Sequence, residues 1–100
     1  MATTSKIIDI YHQDAFNPTK WKQEGIISII HKVTQGTKFK DPKYKARKKA
    51  AKAQGFLWGA YHFATSADWE GQVNFFLDAA DLEKNELVAF DWKCRLMAHL

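Results

Sequence analysis

The chain has 100 residues, 46% of them hydrophobic and 26% charged, which is the make-up of one globular domain and excludes a disordered or low-complexity polymer. No run of about 18 apolar residues is present to form a membrane-crossing helix, and a single cysteine, Cys94, excludes an internal disulfide. The net charge is +4, and eight basic residues crowd into positions 38–52 with Asp41 as the sole acid among them.

Lys6-Ile-Ile-Asp-Ile10 opens the chain with β-branched residues that favour a strand. Asn17-Pro18 then supplies an N-cap ahead of a proline at the first helical position, and Gly25 closes that short helix. Ile26-Ile-Ser-Ile-Ile-His31 reads as a second strand. Asp41-Pro42 repeats the start signal, and Gly55 ends a helix of about four turns. Its Ala46, Ala50 and Ala53 recur at helical spacing and are expected against a sheet, with the lysines turned to water. Phe56-Leu-Trp-Gly-Ala-Tyr-His62 is a third strand. A third helix is expected from Thr65 or Ser66, with Trp69, Val73, Phe76 and Ala80 as one apolar stripe. Leu87-Val-Ala-Phe-Asp-Trp92 completes a set of four strands. Runs apolar on both faces suit parallel strands, so the class is α/β, a parallel βα repeat of about four strands and three helices. Four such strands make either a small open sheet or half of an eight-stranded barrel.

In α/β proteins functional groups gather at the C-terminal ends of the strands. Those ends carry Asp9, His31, Tyr61 with His62, and Asp91. Glycoside hydrolysis needs two carboxylates, one protonated to donate to the leaving oxygen and one ionised. Asp9 and Asp91 fit part of that scheme. Tyr11, Tyr61, Phe63 and Trp92 lie beside them, either to stack on sugar rings or to pack a barrel. His12, His31 and His62 lack any tight pair spacing, so no metal site is expected. The basic block reads as a solvated helix face or as a surface for an anionic polymer. With no helix-turn-helix signal, zinc spacing or RRM motif, a nucleic-acid partner is not expected.

Five motifs, in order and in register, resemble the glycoside hydrolase family 25 lysozymes, the muramidases that include phage endolysins. Ile7-Ile-Asp9-Ile is similar to the family's opening strand, which ends in an aspartate. His31-Lys-Val-Thr-Gln-Gly36, followed by Phe39-Lys-Asp41-Pro, resembles its lysine-alanine-threonine-glutamate-glycine stretch and the aspartate after it. Gly59-Ala-Tyr-His-Phe63 matches the third-strand signature, Gln72-Val-Asn-Phe-Phe76 the following helix, and Phe90-Asp91-Trp92 the fourth strand. The resemblance covers residues 6 to 92 and implies a partial (β/α) TIM-like barrel in one truncated domain spanning residues 1–100. It implies cleavage of the β-1,4 bond between N-acetylmuramic acid and N-acetylglucosamine in peptidoglycan, without metal or organic cofactor. By the same resemblance Asp9 and Asp91 are active-site carboxylates and Tyr61 contacts the reacting sugar or the neighbouring carboxylates; His31, His62, Phe63 and Trp92, at or beside the strand ends, are further candidates for binding substrate.

Three departures stand out. The family's Asp-x-Glu glutamate, its proton donor, falls on Lys93, which serves as a general acid only with a pKa depressed far below about 10.4. Gln35 replaces a glutamate, and Tyr11 a common serine. The chain ends at Leu100, where a barrel of this type takes about 200 residues or more. Two unpaired sheet edges and an apolar face open to water are therefore expected, and with them self-association. Negligible turnover is expected, with a non-catalytic wall-binding or anionic-polymer-binding module as the alternative. No signal peptide is visible in Met1–Lys6, so synthesis in the cytoplasm is expected, although family members act outside the cell.

Overall fold

The computed structural model describes residues 2–4, 6–66, 68–91 and 96–99, with side chains described for 6–66 and 68–90. Its elements are β1 (Ala2–Thr4), β2 (Ile7–Ile10), α1 (Pro18–Gln23), β3 (Ser28–Gln35), β4 (Phe39–Lys40), α2 (Tyr44–Ala53), β5 (Leu57–Phe63), α3 (Trp69–Ala80), β6 (Leu87–Asp91) and β7 (Leu96–His99). One sheet runs β1-β2-β3-β5-β6-β7, with β4 attached to β3. The four expected strands, β2, β3, β5 and β6, are parallel neighbours in that order. β1 and β7 add antiparallel strands outside β2 and β6, so neither of the latter is the bare edge that four strands alone implied.

The local signals act as their chemistry dictates. Asn17 accepts the Lys20 amide at 3.4 Å, Pro18 opens α1, and Gly25 turns the chain out at φ +89. α3 starts later than Thr65–Ser66. Asp68 caps it by accepting the Gly71 amide, because Thr65 is held elsewhere by both ends of the Gln72 amide.

α2 departs from expectation in its orientation. Tyr44, Arg47, Lys48 and Ala51 face inward, while Ala46 and Ala53 are exposed. Alanines bury little area, whereas Tyr44 packs on Trp58 and His31, and its hydroxyl donates to the Ala80 carbonyl at 2.8 Å. Lys48 Nζ donates to the Ala80 and Asp81 carbonyls at 3.3 and 2.7 Å, satisfying the C-terminus of α3. Lys48 and Lys52 also pair with Glu86, whose carboxyl is pushed up by burial but held below its ordinary value by both lysines and the Glu83 amide. The basic helix is therefore only partly solvated.

Strand alternation divides the sheet into two faces. One row of pairs, Ile8–Ile29–Trp58, lies beneath the helices, as do Ile10–His31–Ala60–Val88 and Thr34–His62–Phe90. These residues build the core with Trp21, Tyr44, Ala51, Phe76 and Ala80. Among the described residues no helix lies on the other face.

Candidate functional site on the open face

The open face is composed of residues that alternate with the core. Asp9 pairs with Ile30, Ile30 with Gly59 and Gly59 with Leu87 across the four parallel strands. A Cβ on Gly59 would stand 3.0 Å from Leu87 Cβ and 3.1 Å from Ile30 Cγ1, so any larger residue would have to push these side chains aside. The next row joins Lys32, Tyr61 and Ala89, and the last joins Gln35, Phe63 and Asp91. Asp9 is exposed, Tyr61 half-buried and Phe63 43% exposed. Toward the other end of the strands the same face shows Ile7 and Leu57, the latter 60% exposed.

Asp9, Tyr61 and Phe63 thus share one face of the sheet, in successive rows, with Asp91 at the register position opposite Phe63. Trp92 and Lys93 lie outside the described residues, as does Cys94.

His31 and His62 are not part of this group. Both are fully buried on the helix-covered face, so neither offers an atom to a ligand on the open side, contrary to the expectation that they touch substrate. Their partners assign the tautomers. His31 Nδ1 donates to the Lys32 carbonyl at 2.8 Å, and its Nε2 accepts from Arg47 Nη1 at 3.3 Å, since a guanidinium only donates. His62 Nε2 donates to Gln72 Oε1 at 2.8 Å, and its Nδ1 accepts from the Thr34 hydroxyl at 2.7 Å. Gln72 is itself oriented by Thr65, whose amide reaches Oε1 at 2.9 Å while Nε2 donates to its carbonyl at 3.0 Å. Both imidazoles are biased toward the neutral form. Burial lowers the pKa of His31 despite its bond to the Lys32 carbonyl, and burial lowers that of His62 despite Gln72.

Four residues absent from the expected set organise the site. Lys32, only 7% exposed, donates Nζ to Gln35 Oε1 and sits among the rings of Tyr11, Phe39 and Phe63, at 5.7, 5.2 and 5.2 Å from their centroids. Arg47 ties the loop after β2 by donating to the Tyr11 and Asp14 carbonyls at 3.1 and 2.9 Å. Asp41 accepts the His12 and Lys43 amides, each at 2.9 Å, and joins that loop to the start of α2. Gln72 fixes the loop that leaves β5. Alternation was the available signal: residues 61, 62 and 63 of one strand cannot all face one side, and Lys32 shares the parity of Ile30, the strand partner of Asp9. Among the described residues no group of three or more His, Cys, Asp or Glu side chains is placed to hold a metal ion, and no helix is long and apolar enough to cross a membrane.

Four parallel strands, helices on one face and a carboxylate-bearing open face define a partial (β/α) barrel with its interior side uncovered. The chain belongs to glycosyl hydrolases family 25, whose family model matches residues 8–99. That match runs past Trp92, where the motif resemblance ends. Among solved structures the chain is similar to the lysozyme from Streptomyces coelicolor, with 28% identity over 89% of this chain and 45% of that one, at a TM-score of 0.77. It is similar to the CTP1L endolysin, with 30% identity over 86% of this chain and 34% of that one, at 0.70. The muramidase from Trichobolus zukalii shares 33% identity over 70% of this chain and 35% of its own, at 0.65. The chain therefore spans less than half the length of these relatives. Among curated proteins none matches closely enough to count as a relative.

Proposed function

We propose that this chain is the N-terminal half of a muramidase-type barrel, acting at the peptidoglycan glycan strand through its open sheet face, and that with Lys93 at the acid position it turns over substrate negligibly. The observation that carries this reading is the shared face of Asp9, Tyr61 and Phe63, with Asp91 in register at the end of β6. In this scheme Asp91 orients or activates the substrate, Asp9 stabilises positive charge developing at the sugar, and Tyr61 positions the ring with its hydroxyl. Phe63 and Trp92 supply apolar surface for stacking. A protonated Lys93 adds positive charge beside an oxocarbenium-like transition state and opposes it.

The test is digestion of purified peptidoglycan by the folded chain and by Lys93→Glu, with products read by mass spectrometry. The expected result is no new muramic acid reducing ends from the native chain and retention on the same cell walls, with weaker retention for Asp9→Asn. Release of muramic acid ends by the native chain overturns the role assigned to Lys93. Failure to bind the walls overturns the glycan reading itself.

A further inference from the structure

The eight cations of segment 38–52 divide into two groups by what they touch. Arg47, Lys48 and Lys52 are committed to backbone carbonyls, Glu83 and Glu86. Lys38, Lys40, Lys43, Lys45 and Lys49 are exposed, and none of them pairs with a carboxylate in the ion pairs of the described residues. Their placement costs stability. Lys45 and Lys49 are like charges four residues apart on one helix, and the first turn of α2 has no acidic residue to meet its positive dipole end. A solvated face built for stability would alternate signs here.

Two of these lysines, Lys40 and Lys45, come together at one place. Lys40 pairs in register with Thr34, on the helix-covered face, and lies over the Phe75 ring of α3 at 5.6 Å. Lys40 and Lys45 then line one cavity of about 240 Å³ between β4, α2 and α3, with Asp41 and Asp78 also on its wall. α2 packs on β3 and β5, so this cationic surface lies across the sheet from Asp9 and Tyr61.

We propose that Lys38, Lys40, Lys43, Lys45 and Lys49 form a binding surface for a linear phosphodiester polymer of the cell wall, seated at the Lys40–Lys45 cavity and leaving the open face unobstructed. The choice of a wall polymer over nucleic acid rests on the peptidoglycan reading above. Lysines act here as flexible point charges suited to a mobile polyol phosphate, and no row of exposed aromatic rings lies among them to stack bases.

The test measures binding of the native chain to poly(glycerol phosphate) free of peptidoglycan, with single-stranded DNA of matched charge as the second arm. If the five lysines engage phosphates, affinity falls roughly a hundred-fold between 50 and 200 mM salt. Lys45→Gln/Lys49→Gln then weakens binding by on the order of ten-fold or more at the lower salt, and Asp78→Asn tightens it. Lys6→Gln/Lys20→Gln, which removes the same charge elsewhere, leaves binding nearly unchanged. Equal loss in both double variants overturns the site, as does absence of binding. DNA binding ten-fold tighter than the polyol phosphate overturns the wall-polymer assignment. Because no glycan is present, failure here leaves the peptidoglycan reading standing, and failure to bind peptidoglycan leaves this result intact.

Discussion

The two faces of the sheet have been shaped by different demands. Beneath the helices, polar atoms are matched donor to acceptor: His31 between a carbonyl and Arg47, His62 between Thr34 and Gln72. Ser28 Oγ, the one buried side-chain polar atom without a partner among the described residues, lies on the other face, in register with Ile7 and Leu57. On the open face Asp9 is exposed, Phe63 and Leu57 meet water, and Lys32 is held by rings. The first face is a finished core. The second is the interior surface of a partial barrel, against which no helix lies among the described residues, and its exposed positions such as Leu57 carry little of the stability.

Truncating Phe76, fully buried under the helices, sharpens this contrast most. Phe76→Ala is expected to cost about 3–5 kcal/mol in urea unfolding, enough to unfold much of a marginal domain. A loss below about 1 kcal/mol would mean that the helix face is not the core. Gln72→Ala comes next, with about 2–3 kcal/mol expected, because it strands His62 Nε2 and both backbone groups of Thr65.

A pH series follows in size. Both buried histidines have folded-state pKa values depressed below the ordinary 6.5, so the unfolded chain takes up protons first. Stability should therefore be level above about pH 6.5 and fall as the pH drops below it. His62→Gln should shallow that fall between pH 7.5 and 5.0, whatever its absolute cost. An unchanged slope would show that His62 is not protonated on unfolding. The smallest effect belongs to the open face: Leu57→Ser should shift the unfolding free energy by under about 0.5 kcal/mol. If sedimentation shows the native chain to be a dimer that Leu57→Ser dissociates, the open face is covered by a second copy and the contrast fails.

Much of this was legible from local chemistry. The short apolar runs, two of them β-branched, located the four parallel strands, and Asn17-Pro18 placed α1, because caps and strand propensities act within a few residues. The family motifs could be read directly as spacing, from Asp9 to Asp91. What local sequence left undecided was direction. α2 carries alanines on one stripe and cations all around, and only the positions of Trp58, the end of α3 and Glu86 select Tyr44, Arg47 and Lys48 as its inner side. Likewise, Tyr61 and His62 are neighbours in the motif but belong to opposite faces, and the register shift between Lys32 and Thr34 in β3 sets Thr34, not Val33, opposite His62 beneath the helices. The sequence by itself determined which residues form strands, helices and a family signature. The tertiary structure alone decided which of them share a face, since that depends on long-range pairing and on which side of the sheet the helices cover.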